Sequence, residues 1–258
     1  MGRLRTIARR TFLLGTVAIA GGVAFGVYKF RETAPNPLDP AEGEYSLNAW
    51  IMIDGKGVTL VAPKAEMGQG VHTTWAALIA EELDVELADV RVIHGPPAQA
   101  YFNSALFGLA IPRFEYRDGN FLHGLRGIAG EGAKFLSLQL TGGSTSMKDG
   151  FERMRAAGAT AREALKMAAA DRLGVARADL TTEAGHVVAP DGTRIPYSEL
   201  AEAALDKDPG SVDLRDPSEW RLLGKTQPRI DMVSKVTGTA EFGVDVRLDG
   251  MRFASVRR

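Results

Sequence analysis

The alternation of apolar and polar residues predicts a short β-hairpin in the first third of the chain. Two strand-like runs, NAWIMI at 48–53 and VTLVA at 58–62, flank the sequence DGKG at 54–57. An Asp-Gly step between two such runs is typical of a tight hairpin turn. The runs therefore predict one antiparallel pair of strands.

A helical pattern follows the hairpin after the glycine loop EMGQG at 66–70. Its apolar residues fall at helical spacing and are Val71, Trp75, Leu78, Ile79 and Leu83. Apolar positions three and four residues apart line one face of a helix. The run DVRVI at 89–93 then reads as a strand again. The unit is therefore strand, glycine loop, helix and strand.

The same arrangement returns later in the chain. The loop TGGSTS at 141–146 precedes an alanine-rich helical pattern over 151–173, in which Gly158 is the weakest helix former. Between 96 and 140, repeated glycines interrupt every regular pattern. We therefore expect a long, partly irregular insertion between the two glycine loops.

Strand-like runs at 179–188 and 194–197 flank an Asp-Gly turn at 191–192. Ser198 is suited to cap the start of a short helix over 199–205. Together with the units of strand, glycine loop and helix, these elements indicate an α+β fold.

Composition narrows the choice of partners. The 258 residues are 45% hydrophobic, which is enough to build a core, and 31 basic against 32 acidic residues give a net charge of -1. That balance gives no electrostatic reason to expect nucleic acid as a partner. The chain has no cysteine, so it cannot form a disulfide or supply a thiolate to zinc or to an iron–sulfur cluster.

Residues 1–32 have the pattern of an export signal. Basic residues, including Arg9 and Arg10, precede a short apolar run that extends to about Tyr28. The arginine pair resembles the twin-arginine signal, which directs the export of folded proteins. The alternative is an uncleaved membrane anchor, because the run approaches the roughly 17-residue lower limit for crossing a bilayer. Both interpretations predict a protein in the periplasm or at the periplasmic face of the inner membrane.

The rest of the chain divides into four parts. A proline-rich linker at 33–45 precedes a folded part at 46–206, and a second linker at 207–223 leads to a final segment at 224–258. The folded part contains both glycine loops.

Glycine at the start of a helix lets the backbone approach a ligand, and the free N–H groups there favour an anion. Two such loops could bind one anionic cofactor from two sides. Gln69 adds an amide, and Ser144, Thr145 and Ser146 add hydroxyls. The simpler alternative is that each loop only turns the chain, since neither is a Walker motif or a Rossmann G-x-G-x-x-G.

Taken together, these segments resemble a known family. The runs NAW (48–50), PKAEMGQGVHT (63–73), AEELDV (80–85) and TGGSTS (141–146) are similar to the molybdopterin-binding large subunit of the xanthine dehydrogenase and aldehyde oxidase family. They look most like the branch of the isoquinoline 1-oxidoreductase β-subunit. The runs GKTQPRID (224–231) and KVTGTAEFGVDVRLDGM (235–251) are similar to the opening of that family's α/β hammerhead domain.

The resemblance implies a molybdenum hydroxylase that acts on an N-heterocycle or an aldehyde. Its molybdenum–pterin dinucleotide cofactor inserts water-derived oxygen into an electron-poor C–H bond, and electrons pass to an iron–sulfur small subunit. The cofactor-binding residues that carry over are Gly68, Gln69, Gly70, Gly143, Ser144, Thr145 and Ser146. No catalytic residue and no metal ligand carries over.

The resemblance covers only the amino-terminal portion of the family. The second glycine-rich cofactor loop, the substrate-positioning residues and the general-base glutamate have no match here, and the hammerhead-like segment breaks off at residue 258. Glu66 belongs to the cofactor loop and Glu131 is expected in a solvated turn, so neither is assigned as the base. We expect a cofactor-binding portion that is inactive alone and is completed by a separate chain. The alternative is a non-catalytic truncated homologue that acts as a binding or assembly element.

We expect no role in a functional site for several other polar residues. Arg153, Arg155 and Arg162 are expected on a solvated helix face. The four histidines have no spacing that would place two of them together on one helix, so a zinc site is not expected.

Overall fold

The computed structural model describes Tyr28, residues 32–108, Ile111 and residues 119–257, except for the side chain of His123. The predicted export signal at 1–32 therefore lies almost entirely outside the described residues. Within the described part, none of the helices has the length and apolarity that a membrane crossing requires.

A four-stranded sheet forms around the predicted hairpin. Strands β1 (Tyr45–Asn48), β2 (Ile51–Asp54) and β3 (Gly57–Ala62) pair antiparallel in chain order, and β4 (Val90–His94) pairs parallel with β3. Asp54 lies opposite Gly57, so the turn is the predicted one. A parallel return needs a crossover connection. Helix α1 (Val71–Leu83) supplies it, with the predicted bounds.

The insertion at 96–140 is more regular than its glycines suggest. It contains the short helix α2 (Ala105–Gly108) and the 16-residue helix α3 (Asn120–Phe135). A Cβ at Gly130 would lie 2.5 Å from the carbonyl oxygen of Ser104, so the glycine permits a close contact that supports the helix. Glu131 lies on α3, 3.7 Å from the ammonium of Lys134, and not in the solvated turn expected for it.

Helix α4 (Thr145–Leu173) packs closely along α1. A Cβ at Gly150 would come within 2.4 Å of the Trp75 ring, and one at Gly158 within 2.9 Å of the Cβ of Glu82. These two contacts advance together along both helices, so α1 and α4 run in the same direction. Gly158, the weakest helix former in the pattern, is therefore required by the packing.

A second, three-stranded antiparallel sheet follows, formed by β5 (Thr181–Glu183), β6 (His186–Val188) and β7 (Arg194–Pro196). Helix α5 is Tyr197–Ala204, so Ser198 lies inside the helix and does not cap it. The buried hydroxyl of Tyr197 donates to the carbonyl of Leu83 at 2.6 Å, which ties the start of α5 to the end of α1. One apolar core joins the first sheet, the second sheet and the helices α1, α4 and α5.

The final segment contains one short helix, α6 (Met232–Thr237), and no strand between 224 and 257. Its apolar side chains are largely exposed, among them Val244 and Phe253. The mixture of helices and strands in the described residues agrees with the predicted class. The domain boundaries, and the identity of 224–258 as the start of a hammerhead domain, stay predictions.

Candidate functional site

The structure brings the two glycine loops together. The first loop leads from β3 into α1 and the second leads into α4, and both helices start at the same end of the pair. The backbone N–H of Ala65 donates to the hydroxyl of Thr141 at 2.9 Å, which joins the two loops directly. A ligand at this end of the molecule can therefore reach both loops.

The glycines of the first loop have conformations that other residues rarely adopt. Gly68 has φ 98° and Gly70 has φ 81°, both in the left-handed region. A Cβ at either position would meet no atom within 4 Å, so the backbone of this loop faces open space. Glycine is thus needed here for the shape of the loop, and it leaves no side chain between the loop and a ligand.

Glu66 organises the first loop from within. Its carboxylate accepts hydrogen bonds from the N–H groups of Gly68 at 2.8 Å, Gly70 at 3.0 Å and His72 at 3.2 Å. Burial alone would raise the pKa of Glu66, but these donors and the charge of Arg229 hold the pKa below its usual value. Three N–H groups around the start of α1, where the sequence suggested an external anion, therefore bind this carboxylate.

The side chain of Gln69 closes the same loop. Its Oε1 accepts from the N–H of Met67 at 2.5 Å, and its Nε2 donates to the carbonyl of Ala65 at 2.8 Å. An amide has a second N–H and a second lone pair, so Gln69 keeps one donor and one acceptor site for a ligand.

The second loop leaves more groups available. Gly143 and Ser144 have φ 59° and φ 54°, and both residues are exposed. Ser144 stands at the N-cap of α4 without a capping hydrogen bond from its side chain, and no acidic residue lies in the first turn. The first N–H groups of a helix have no intrahelical partner. The start of α4, with the half-buried Ser146, is therefore suited to an anion.

Thr145 fixes the second loop from the inside. Its buried hydroxyl donates to the carbonyl of Gly142 at 2.7 Å and accepts from Nδ2 of Asn103 at 2.8 Å. Asn103, which is also fully buried, donates to the carbonyl of Leu140 at 3.0 Å. Of the three hydroxyl residues singled out by sequence, Thr145 thus uses its side chain within the protein.

A buried ion pair lies beneath the two loops. The ammonium of Lys64 is 3.3 Å from the carboxylate of Asp149, and both side chains are almost completely buried. Burial lowers the pKa of Lys64, and the neighbouring charge of Asp149 opposes that effect. Asp149 also accepts from the N–H and the hydroxyl of Ser104, at 2.9 and 2.8 Å. The pair connects the strand side of the first loop to α4, one turn after the start of that helix.

His72 follows the first loop directly. Its Nε2 lies 2.8 Å from the carbonyl of Lys64, and because a carbonyl only accepts, Nε2 carries the proton. Its ring centroid is 5.1 Å from that of His94, so the fold brings together two histidines that are far apart in sequence. Burial, and then the nearby His94, lower the pKa of His72, while its bond to Lys64 and the carboxylates of Glu66 and Asp231 act in the opposite direction.

The expectation that Arg155 and Arg162 lie on a solvated face is wrong. Arg155 donates through Nε to Glu82 at 2.8 Å, and Arg162 donates through Nη1 to the other oxygen of Glu82 at 3.2 Å. All three side chains are buried at the α1–α4 contact. A carboxylate buried in this way requires charged partners. Arg153 is half-buried and donates to the carbonyl of Phe102 at 2.8 Å.

Comparison with known proteins shows which family and which relatives the sequence of this chain is similar to. Residues 8–107, which include the first glycine loop, match the family described as molybdopterin cofactor-binding domain. The chain is homologous to subunits of oxidoreductases of this kind, which confirms the resemblance predicted from the sequence motifs.

Three relatives and one solved structure illustrate the match. The chain is 29% identical to the isoquinoline 1-oxidoreductase β-subunit of Brevundimonas diminuta, over 97% of this chain and 33% of the relative. It is 27% identical to the membrane-bound aldehyde dehydrogenase [pyrroloquinoline-quinone] of Gluconacetobacter polyoxogenes, over 96% of this chain and 29% of the relative. A nicotinate dehydrogenase subunit of Pseudomonas putida is 26% identical, over 86% and 16%. The crystal structure of quinoline 2-oxidoreductase from Pseudomonas putida 86 is 22% identical with a TM-score of 0.32, over 62% and 17%. The chain thus spans a third or less of the length of these relatives.

Proposed function

We propose that this chain is the molybdenum-cofactor-binding portion of an oxidoreductase that hydroxylates or dehydrogenates N-heterocycles or aldehydes. One observation carries the proposal: the hydrogen bond from Ala65 to Thr141 joins two glycine loops at one end of a helix pair. Homology over 97% of the chain to the isoquinoline 1-oxidoreductase β-subunit supports the cofactor class. Residues 46–206 form the cofactor-binding part in this proposal, and 224–258 begin a hammerhead domain.

The residues of the two loops fit a large anionic cofactor. Gly68 and Gly70 present backbone to open space, and the N-terminus of α4 lacks a side-chain cap at Ser144. Helix N-termini and hydroxyl groups suit phosphate oxygens. Residues 143–146 would therefore hold the phosphate or pterin end. Gly68, Gly70 and the remaining donor of Gln69 would contact the end near the metal.

When bound, the molybdenum–pterin dinucleotide supplies the insertion of water-derived oxygen into an electron-poor C–H bond. The residues of this chain bind and orient it, and we assign them no proton transfer. No general-base glutamate is assigned among the residues of this chain. The iron–sulfur clusters belong to a small subunit, since the chain has no cysteine thiolate to bind them.

The proposal extends to the location of the protein. Arg9 and Arg10 before an apolar run support export through the twin-arginine route to the periplasm, or to the periplasmic face of the inner membrane. Export in the folded state suits a protein whose cofactor is loaded before transport.

A second candidate is a non-catalytic element that binds a partner during assembly. The observation in its favour is the apolar surface of the final segment, where Val236, Val244 and Phe253 are each more than two-thirds exposed. Apolar surface of this kind marks a site of protein–protein contact.

Metal and pterin analysis distinguishes the two candidates. The protein is purified with its co-purifying chains from membrane and periplasmic fractions, and molybdenum and pterin are measured per chain. We expect stoichiometric molybdenum and a second chain. Ser144→Ala and Gln69→Ala should lower the molybdenum content, whereas Ser198→Ala, on α5, should not. An intact complex without molybdenum or pterin would exclude the cofactor role and favour the assembly element.

A further inference from the structure

Arg229 joins the final segment to the first glycine loop. Its Nη1 donates to the carbonyl of Gly68 at 2.8 Å, and its Nη2 donates to the carboxylate of Glu66 at 3.3 Å. The next residue, Ile230, donates its N–H to the hydroxyl of Thr73 at 3.2 Å. Arg229, more than 150 positions downstream of the loop, thus contacts both Glu66, which organises the loop, and Gly68 at its tip.

The guanidinium of Arg229 is itself fixed. Its Nε and Nη2 donate to the two oxygens of Asp231, at 2.9 and 2.7 Å. Asp231 also forms an ion pair with Lys235. Its hydrogen bond with Arg229, and then that with Lys235, hold the pKa of Asp231 well below its usual value. The carboxylates of Glu66 and Asp231 therefore face the two cations Arg229 and Lys235, so these four charges beside the loop sum to zero.

The segment before Arg229 is tied to the other end of α1. The buried carboxylate of Glu81 accepts from three consecutive N–H groups, those of Arg221 at 2.8 Å, Leu222 at 2.6 Å and Leu223 at 3.0 Å. These donors keep the pKa of Glu81 low although burial alone would raise it. Two attachments, one at each end of the helix, thus set the position from which Arg229 reaches the loop.

We propose that Arg229 is a positioning residue for the first glycine loop. The inference rests on the proposed cofactor role of that loop. The planar fork of a guanidinium donates to a carboxylate and to a carbonyl at the same time, which a lysine ammonium does not reproduce. Arg229 holds Glu66 in the orientation that binds the N–H groups of Gly68, Gly70 and His72. It also offsets the charge of Glu66, so that an anionic cofactor meets a loop without net charge.

The test compares three variants of the full chain, purified with its co-purifying chains: Arg229→Gln, Arg229→Lys and the control Arg221→Gln. Arg221 lies shortly before Arg229 in the chain and is also an ion-pair partner, but it pairs with Asp84 and Glu86 at the far end of α1. Amide hydrogen exchange is followed over residues 66–72 and over 76–83. Molybdenum content is followed as a function of salt.

In Arg229→Gln we expect exchange at 66–72 to accelerate about tenfold, because hydrogen bonds to charged groups are lost, while exchange at 76–83 stays unchanged. Molybdenum retention should fall most at low salt, where the uncompensated Glu66 is least screened. A purely structural role would not make the loss depend on salt. Arg229→Lys should keep the salt dependence of the wild type, with faster exchange at 66–72 because the fork is lost.

Unchanged exchange at 66–72 in Arg229→Gln, or an equal acceleration in Arg221→Gln, would overturn the inference. If Arg229→Gln does not fold, the same comparison is made with Arg229→Lys: unchanged amide exchange at 66–72 in that variant, or an equal acceleration in Arg221→Gln, would overturn the inference. A wild-type complex without molybdenum would overturn the proposed function instead. The exchange data would then still decide whether Arg229 positions the loop.

Discussion

The hydroxyl of Thr141 accepts a hydrogen bond from the backbone N–H of Ala65, 76 positions earlier in the chain. This contact is possible because α1 and α4 run in the same direction and begin at the same level. The spacing of the two glycine loops is therefore set by how closely the helices pack.

Gly150→Ala tests that packing. The new Cβ would lie within 2.5 Å of three atoms of the Trp75 ring, and Trp75 is almost completely buried. We expect a loss of stability of about 1–3 kcal/mol from overpacking, although alanine favours a helix. Equilibrium denaturation by urea measures the change.

Gly127→Ala is the matched control for Gly150→Ala. Gly127 also lies within a helix, α3, but a Cβ there would meet no atom within 4 Å. Alanine should therefore stabilise the protein by up to about 1 kcal/mol. Equal effects of the two substitutions would contradict the close contact of α1 with α4.

Glu82→Gln tests the buried charges between the helices. The substitution leaves Arg155 and Arg162 without the buried carboxylate that they share. We expect a loss of about 3–5 kcal/mol, the usual cost of removing one partner of a buried ion pair. Glu199→Gln serves as control, because its pair with Arg172 is half exposed and should contribute less than about 1 kcal/mol. Denaturation curves that coincide for the two variants would rule out the buried network.

Local signals predicted the hairpin and α1. Asp54 and Gly55 mark the turn, and the apolar spacing predicted a helix from Val71 to Leu83, as observed. Helix α3 was missed because its four glycines have low helix propensity, and the contact of Gly130 with Ser104 that supports it is not visible in sequence.

The candidate site was predictable only where it depends on local sequence motifs. The two glycine loops are local motifs, so the sequence could identify them. It could not show that Arg229 pairs with Glu66, because that contact depends on how distant segments fold together. The bonds from the loop N–H groups to Glu66 are local, but they depend on a loop conformation that the motif alone does not define. The acidic residues of AEELD at 80–84 could have indicated the buried ion pairs with α4, since carboxylates in an apolar helix need cationic partners.

Asn103→Ala tests how the second loop is held. The side chain of Asn103 is completely buried and binds the carbonyl of Leu140 and the hydroxyl of Thr145, so its removal leaves both without this partner. We expect a loss of about 1–3 kcal/mol and faster amide exchange at 141–146.

Asn36→Ala is the control for Asn103→Ala. Asn36 binds Ser46 at the protein surface, and its removal should cost less than about 0.5 kcal/mol. Unaltered exchange at 141–146 in Asn103→Ala would show that the loop is held by other contacts.

His72→Gln tests the pH dependence of stability. Burial lowers the pKa of His72 below its ordinary value of 6.5, so below that pH the unfolded chain binds a proton that the folded chain does not. Stability should therefore fall as the pH falls from about 7 towards 5, and Gln, which keeps an N–H donor for the Lys64 carbonyl, should remove this contribution. Glu66 and Asp231 have lowered pKa values and act at more acidic pH.

Urea denaturation at several pH values between about 5 and 7.5 measures the effect of His72→Gln. His186→Gln is the control, since His186 bonds only locally, to the carbonyl of Ala184. If the free energy of unfolding of His72→Gln changes with pH as steeply as that of the wild type, His72 is not the cause of this pH dependence.

Helix α1 carries the first glycine loop at its start and Glu81 and Glu82 near its end, separated by a fixed number of turns. Each residue in an α-helix rotates the chain by about 100° and advances it by about 1.5 Å. Inserting or deleting a single residue would turn both glutamates away from their partners while the loop stayed in place. Natural variants of this protein should therefore differ at exposed residues such as Thr74 but keep the helix at 13 residues. Insertions should be confined to the connections outside the helix.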